Sequence, residues 1–397
     1  MSRLKFAVAI AAFLALSTVC ARAQAQVSAA TPPMGWSAWN HFHRDVSDEL
    51  IRAQADALVA SGMRDAGYVY VNIDGGWEGF RDAQGVLNPN SNFPDMKALG
   101  DYIHSKGLKF GIYTGPGPST CGGMAASYGF EAQDAQMFAS WGVDFLKYDL
   151  CSFREIMRRD AGGDIEKNDA IMKAAYEKMH QGLVATGRPI LFSLCQYGWG
   201  SVWTWGPQVG ASMWRTGEDI DDNYDSMSRN GFDQVGLEKY AGPGHWNDPD
   251  FLEVGNKGMN ADEQKTHFSL WAMLAAPLIA GNDLTAMSTG TKNILLNREV
   301  IAIDQDALGK QGIRAYKEGP LEVWSKPLEG GALAVALFNR TTWGARMTLR
   351  LKDVSWDGEA AARDLWTHKD IGTLNGEWSV TVPTHGVVLL RLTHPAQ

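Results

Sequence analysis

Short apolar segments alternate with amphipathic helical segments between residues 34 and 281, and this alternation limits the folds open to the chain. Strands that alternate regularly with helices pack as a parallel sheet with the helices outside it. The pattern therefore predicts the α/β class and a (β/α)8 TIM barrel. Its predicted strands cover residues 34–39, 68–74, 108–113, 143–151, 189–195, 212–216, 245–247 and 277–281.

The helical segments carry their own start and spacing signals. Ser47 is placed to cap a helix over 48–61, in which Ile51, Ala55 and Leu58 recur at helical spacing. A further helix begins near Asp222 or Asn223, and either side chain is a candidate cap. Other helices are predicted over residues 95–106, 131–141, 165–185 and 261–274.

A change of period after Asp306 indicates a second domain. From about Ile313 onward, short runs alternate with period two and are separated by Gly-, Pro- and Asn-rich turns. This pattern is typical of a small antiparallel β-sandwich. We predict a (β/α)8 barrel over residues 26–311 and a C-terminal antiparallel β domain over residues 312–397.

The first 25 residues have the layout of a secretory signal peptide. Arg3 and Lys5 precede an apolar run, and small residues follow at Ala23 and Ala25. Lipid attachment at Cys20 is the weaker alternative, because Val19 poorly fits the small residue that such processing requires. We predict a secreted or periplasmic protein with no membrane contact beyond the signal peptide. Cleavage would remove three cations and change the formal charge from −9 to −12, which disfavours nucleic acid as a partner.

Three cysteines remain after the predicted cleavage. In an exported protein Cys121 and Cys151 could form a disulfide and leave Cys195 unpaired. Metal binding is the competing use of cysteine, but the chain has no Cys-x-x-Cys. His41 and His43 form an isolated His-x-His, which we interpret as a surface or packing feature, so no metal site is predicted.

The apolar run over residues 143–151 ends on polar groups. Alternate strand residues share a face, so Lys147 and Asp149 project together. In a barrel, catalytic groups lie at the carboxyl ends of strands, and a nearby ammonium favours the ionised carboxylate that a nucleophile requires. An ordinary ion pair at a strand end is the alternative interpretation.

Other predicted strands end on side chains suited to a neutral polyol. Carboxylates, cations, amides and aromatic rings at one rim match a sugar better than a phosphate or a lipid. Paired carboxylates are also the usual means of glycoside hydrolysis. The candidate rim residues are Trp39, Asp74, Tyr113, Lys147, Asp149, Gln196, Arg215, Asp219 and Asp250.

Six motifs in order resemble the α-galactosidases of glycoside hydrolase family 27. The resemblance runs from about Pro32 to the end of the chain. It implies a (β/α)8 barrel followed by a C-terminal antiparallel β domain, and hydrolysis that needs no metal or organic cofactor. The motifs are MGWSAWN at 34–40, IDGGW at 73–77, GIY at 111–113, KYDLC at 147–151, WR with DIDD at 214–222, and GPGHWNDPD at 242–250.

The resemblance assigns roles that spacing alone does not. It matches Asp149 to the nucleophile of a retaining double displacement and Asp219 to the general acid/base, with the two carboxyl groups about 5 to 5.5 Å apart. It matches Cys121 and Cys151 to a disulfide beside the active site. The positions that hold the sugar are matched by Trp39, Asp74, Tyr113, Lys147, Arg215 and Asp250.

Two departures from the family pattern concern which sugar is bound. Gly75 stands where the family commonly has a second aspartate after the one matched by Asp74, and Gln196 stands near where relatives often carry glutamate. Loss of one charged acceptor could cost about 1.5 to 3 kcal/mol of recognition. Glu78 is a candidate replacement, with a surface-loop glutamate as the simpler interpretation. Relatives of this barrel act on α-N-acetylgalactosaminides, β-L-arabinopyranosides and α-1,6-glucans, which stay open as alternatives.

Three classes of function follow from these residues. The first is a secreted retaining exo-glycosidase, most simply an α-galactosidase with a carbohydrate substrate. The second is a non-catalytic carbohydrate-binding protein, which Gly75 favours and intact Asp149, Lys147 and Asp219 disfavour. The third is a metal-dependent barrel hydrolase, which the lack of a visible ligand set disfavours.

Overall fold

The computed structural model describes residues 29–395, and the predicted signal peptide lies outside the described residues. The strands of the barrel and of a hairpin at its rim are β1 Met34–Ser37, β2 Tyr70–Asn72, β3 Glu78–Arg81, β4 Leu87–Pro89, β5 Lys109–Thr114, β6 Phe145–Asp149, β7 Leu191–Cys195, β8 Met213–Arg215, β9 Trp246–Asp248 and β10 Leu278–Ala280. The helices are α1 Trp39–Phe42, α2 Asp48–Ala60, α3 Met63–Ala66, α4 Met96–Ser105, α5 Glu131–Ser140, α6 Phe153–Ala161, α7 Ile165–Ala185, α8 Tyr224–Phe232, α9 Ala261–Leu274, α10 Thr289–Leu295 and α11 Arg298–Asp304.

The barrel sheet is parallel and has the strand order β10, β1, β2, β5, β6, β7, β8, β9. Strands β9 and β10 do not form a regular pair. Instead, the Leu252 amide donates to Ile279 O at 2.8 Å, and the Gly281 amide donates to Leu252 O at 2.9 Å. The predicted barrel is therefore confirmed, and it closes through a bridge just beyond the end of β9.

The predicted helix signals are found in place. The Ser47 hydroxyl accepts from the Leu50 amide at the start of α2, whose residues Ile51, Ala55 and Leu58 are buried. Of the two candidate caps for α8, Asn223 is the one used, and its side chain accepts from the Ser226 amide. The rim hairpin of β3 and β4 was not predicted, because its strands are too short to show a period.

The C-terminal domain is an antiparallel β-sandwich, as predicted. One sheet has the order β11, β12, β13, β18, β15, β16, and β14 pairs with β17 in the other. Between them lies a separate apolar cluster that includes Val335, Leu337, Leu349 and Leu390. The strands are β11 Ile313–Glu318, β12 Leu321–Pro327, β13 Leu333–Asn339, β14 Ala345–Arg350, β15 Ala360–Asp364, β16 Lys369–Leu374, β17 Glu377–Val382 and β18 Val387–Thr393.

The sandwich packs against α8 and α9 of the barrel. The Phe232 ring lies edge-on to Phe338, with centroids 5.2 Å apart. The fully buried Lys326 ammonium of β12 donates to Ala272 O in α9 at 2.8 Å. The interface between the two domains is thus apolar and contains a buried hydrogen bond from a lysine. Between residues 29 and 395, no helix combines the length and apolarity needed to cross a membrane.

Candidate active site

Asp149 lies at the carboxyl end of β6 and is a buried carboxylate of the site. Its side chain accepts two hydrogen bonds from tyrosines: Tyr197 donates to Oδ1 at 2.7 Å and Tyr113 donates to Oδ2 at 3.0 Å. Burial raises the pKa of Asp149, while the Lys147 cation and the two hydroxyl donors lower it. The carboxylate is therefore desolvated but supplied with donors that favour its ionised form.

Lys147, two residues earlier on β6, is not paired with Asp149 as its spacing suggested. Its ammonium forms an ion pair with Asp74 at 2.8 Å, and Asp74 lies just beyond the end of β2, which β5 separates from β6 in the sheet. The ammonium also lies 4.7 Å from the centre of the Phe251 ring. The cation lowers the pKa of Asp149 through space, as expected, although burial has the larger effect and raises that pKa overall.

Arg215, at the end of β8, is buried and holds two further carboxylates. Its guanidinium contacts Asp250 Oδ2 at 2.9 Å and Asp219 Oδ1 at 3.1 Å. The Asp250 side chain is 6% exposed, whereas that of Asp219 is 71% exposed. One arginine thus links a buried carboxylate to one that faces the solvent.

A disulfide joins Cys121 to Cys151, directly after the end of β6. It lies against the site, since the Tyr113 hydroxyl is 3.2 Å from Cys151 Sγ. Within residues 29–395, Cys121, Cys151 and Asp149 are the one group with the spacing of a metal site. Because both sulfurs are oxidised in the disulfide, they are not thiolate ligands. The third cysteine of the described residues, Cys195, is buried and has a free thiol.

Gly75 lies between two aromatic rings of the site. A Cβ atom there would be 3.4 Å from Trp39 Cζ3 and 3.5 Å from Tyr113 Cε1, which is ordinary contact. Trp39, at the start of α1, is thereby placed with Asp74 and Tyr113, as predicted.

Glu78 is fully buried, so its interpretation as a surface-loop glutamate is wrong. Its Oε2 accepts from the Gly76 amide at 2.8 Å. Burial raises its pKa to about 7. A side chain sealed from solvent does not reach a bound sugar, so the structure does not support Glu78 as a replacement for the missing aspartate.

Gln196 is also fully buried, beneath the site rather than on its open surface. Its Nε2 is 3.4 Å from Arg215 O, and its Oε1 has no hydrogen-bond partner among the described residues. The amide therefore contacts the main chain that carries the Arg215 guanidinium.

The backbone adopts the left-handed region directly after several barrel strands. The φ angles are 63° at Asp74, 35° at Cys151, 61° at Tyr197 and 98° at Asp250. Non-glycine residues in this region carry strain, which is concentrated at functional sites. These turns direct side chains inward just beyond the last residue of each strand that pairs in the sheet.

Tyr197, Asp248 and Phe251 belong to the site but were not predicted. Tyr197 follows Gln196 after β7, and extending the strand-end rule by one residue would have found it. Burial raises the pKa of Asp248 to about 6, although the Arg215 cation opposes the change. Phe251 carries no polar atom, and only its position after Asp250 was available as a signal.

A (β/α)8 barrel with these paired carboxylates at the carboxyl ends of its strands defines a glycoside hydrolase. The family described as Alpha galactosidase A matches residues 31–306, and the family described as Alpha galactosidase C-terminal beta sandwich domain matches residues 318–392. The chain therefore belongs to the α-galactosidase family, glycoside hydrolase family 27, which confirms the resemblance found in its motifs.

Individual relatives support this assignment over nearly the whole chain. The alpha-galactosidase A of Cellvibrio japonicus is 44% identical over 390 residues, which span 92% of each chain. The crystal structure of alpha-galactosidase I from Mortierella vinacea is similar with a TM-score of 0.87 at 34% identity, over 94% of this chain and 99% of that one. A β-L-arabinopyranosidase of Geobacillus stearothermophilus is similar with a TM-score of 0.80 at 25% identity, over 93% of this chain and 97% of that one.

Proposed function

We propose that the protein is a retaining exo-α-galactosidase that removes terminal α-D-galactosyl residues from oligo- or polysaccharides. The observation that carries the proposal is the desolvated Asp149 carboxylate, which two tyrosine hydroxyls hold and whose pKa the nearby Asp219 carboxylate raises. The names of the relatives, mostly α-galactosidases, indicate the sugar.

Asp149 acts as the nucleophile in the proposed mechanism. Its carboxylate attacks the anomeric carbon and forms a covalent galactosyl ester, and the bond from that carbon to the leaving oxygen breaks. The hydrogen bonds from Tyr113 and Tyr197 orient the carboxylate and keep it ionised in a dry environment. Because they are in place before the substrate arrives, they cost no reorganisation during the reaction.

Asp219 acts as the general acid and then as the general base. In its protonated form it gives its proton to the leaving oxygen, and as a carboxylate it later takes a proton from the water that attacks the ester. Its exposure admits both the leaving group and that water, while the contact with Arg215 limits its range of positions. Two displacements at one carbon retain the anomeric configuration, and neither uses a metal or organic cofactor.

The remaining polar groups hold the sugar in this proposal. The Lys147–Asp74 and Arg215–Asp250 pairs present charged donors and acceptors to hydroxyl groups, and the Trp39 ring offers a face for stacking. Gln196 supports this arrangement from beneath, through its contact with the main chain of Arg215.

The test is hydrolysis of a panel of aryl glycosides by the mature protein. The panel holds α-D-galactopyranoside, α-N-acetylgalactosaminide, β-L-arabinopyranoside and α-D-glucopyranoside, with an isomalto-oligosaccharide beside them. We expect α-galactoside to dominate, the first product to be the α-anomer by NMR, and Asp149→Ala to be inactive. Turnover of another glycone alone would keep the mechanism and reject the named sugar, whereas a first-formed β-anomer would reject the mechanism.

We also propose that residues 1–25 direct export and are then removed. The Cys121–Cys151 disulfide supports an oxidising compartment, since such bonds are rare in the cytosol. The intact mass of the protein from the periplasm or culture medium tests this proposal. A mature amino terminus at residue 24 or 26 is expected, and full-length protein confined to the cytosol would contradict it.

A further inference from the structure

A second cleft lies away from the Asp149 site, where the barrel meets the C-terminal domain. Its walls are the loop over residues 255–257, parts of α9 and α10, and Trp366 with His368 of the sandwich. Its volume of about 1090 Å³ is slightly above the range of about 300 to 1,000 Å³ that is usual for ligand sites. The cleft therefore has room for an oligosaccharide.

The lining of this cleft is basic, although the whole chain has a formal charge of −9. It includes Lys257, Lys265, Lys292 and Arg298, and no aspartate or glutamate of the described residues lines it. In the described part of the chain, neither Lys257 nor Lys292 has a carboxylate within 4 Å, and Lys265 is 3.7 Å from Asp262. Two exposed ammonium groups are thus available for an anion.

The other walls suit a sugar chain. Trp366 is half-buried, and its indole is fixed by donation to Ser269 Oγ at 2.9 Å, so that the ring is held in one orientation. Asn293 is exposed beside Lys292 and offers an amide for hydroxyl groups. His368 Nδ1 lies 2.7 Å from Glu299 Oε1, so this imidazole is less available to an anion than the two lysines.

Hydrogen bonds connect one wall of the cleft to the loop that carries Asp219. The Gly258 amide donates to Asp222 Oδ2 at 2.6 Å, three residues beyond Asp219. On the same wall, the Asn256 side chain donates to Glu253 Oε2 at 2.6 Å, and Asn40 beside Trp39 donates to the same carboxyl group. The segment that forms one wall of the cleft is therefore hydrogen-bonded to residues close in sequence to Asp219 and Trp39.

We propose that this cleft is an accessory binding site for a carboxylated oligosaccharide segment, such as a run of uronic acid residues. The lysines pair with the carboxylates, while Trp366 and the amides contact the sugar rings. Such a site would hold an acidic polysaccharide near the catalytic face. The binding itself does not depend on which glycone the Asp149 site accepts.

The experiment measures binding of a galacturonic acid hexamer and of its fully methyl-esterified, neutral form. Isothermal titration uses the full mature chain with Asp149→Ala, and excess D-galactose occupies the proposed glycone pocket. We expect the acid form to bind at least tenfold more tightly than the ester. Raising salt from 50 to 500 mM should weaken it severalfold, because screening acts on exposed charges.

Paired variants locate the site. Lys257→Glu with Lys292→Glu should weaken binding of the acid at least tenfold, while Lys167→Glu with Lys352→Glu, two exposed lysines elsewhere, should change it less than twofold. Both pairs should hydrolyse a small aryl α-galactoside like the wild type, so that failure here is distinct from failure of the proposed function. Equal binding of the acid and the ester, or equal effects of the two pairs of variants, would overturn the proposal. Binding of anionic vesicles or RNA by the protein without binding of the hexamer would also overturn it.

Discussion

The Tyr197 hydroxyl lies 2.7 Å from Oδ1 of Asp149 and donates a hydrogen bond to it. Tyr197 reaches this position because it leaves β7 with a φ of 61°. The Arg154 guanidinium lies over its ring, 4.4 Å from the centre. A hydroxyl fixed in this way donates to the carboxylate form, so Tyr197 lowers the pKa of a group whose burial raises it.

Tyr197→Phe should therefore move the acid limb of the pH dependence of kcat/KM to higher pH. A nucleophile must be ionised, so activity falls as pH falls through the pKa of Asp149, which is already above its ordinary value. Loss of one hydrogen bond to a charged group, about 1.5 to 3 kcal/mol, corresponds to a further rise of about 1 to 2 pH units. The measurement is kcat/KM of an aryl α-galactoside from pH 3 to 8.

Tyr176→Phe is the matched control for that variant. Its hydroxyl is also buried but donates to Cys195 O at 3.2 Å rather than to a carboxylate. We expect lower stability with an unchanged acid limb. If both variants shifted the limb equally, the hydrogen bond from Tyr197 would not be the cause.

Gly75→Asp should strengthen recognition of galactose over sugars that lack an equivalent hydroxyl. A Cβ atom at this position fits between Trp39 and Tyr113 at contact distance, so the first atom of the new side chain is accommodated. One added charged acceptor is worth about 1.5 to 3 kcal/mol, or roughly a 10- to 150-fold gain in kcat/KM for α-galactoside relative to β-L-arabinopyranoside. Gly75→Ala adds the Cβ alone and should leave the ratio near that of the wild type; an equal change in both variants would point to shape instead of charge.

Glu78→Gln should flatten the dependence of stability on pH. The pKa of Glu78 is raised from 4.5 to about 7 on folding, so its favourable contribution is present below about pH 4.5 and is lost as pH rises through 7. The loss amounts to about 3 kcal/mol in the free energy of unfolding. Denaturant titrations at pH 4.5 and 8 measure it. The same decline in wild type and variant would show that Glu78 does not titrate in the folded protein.

Replacing both half-cystines, Cys121→Ser with Cys151→Ser, should destabilise the barrel by about 2 to 4 kcal/mol, since the bond closes a 30-residue segment. Activity should fall as well, because Cys151 stands two residues after Asp149. Thermal unfolding with and without reductant checks the effect. Reductant should lower the melting temperature of the wild type toward that of the variant and leave the variant unchanged; an equal response of both proteins would place the effect elsewhere.

The sequence predicted the barrel well where strands are long and apolar. The segment ending at Asp149 shows a clear buried-strand pattern, and the Asn223 cap was one of two candidates named. The closure at Leu252 was not predictable, because a bridge formed by one residue has no period. The hairpin of β3 and β4 was not predicted either, because its strands are too short to show a period.

The site residues were predicted from their positions at strand ends. The errors concern side chains whose contacts come from segments distant in sequence. Spacing along β6 put Lys147 beside Asp149, yet Asp74, which follows β2 two strands away, forms the ion pair with Lys147. Glu78 looked like a loop residue, but the hairpin folds it inward. Tyr197 depends on a left-handed turn that its residue type does not signal.

Trapping the glycosyl-enzyme tests the central claim most directly. The mature protein is incubated with 5-fluoro-α-D-galactosyl fluoride, which forms the ester faster than water removes it, and the peptides are mapped by mass spectrometry. We predict one galactosyl adduct, carried by Asp149, and none in Asp149→Ala. An adduct on Asp219, or turnover of the reagent with no adduct at any residue, would contradict the assignment of Asp149 as the nucleophile.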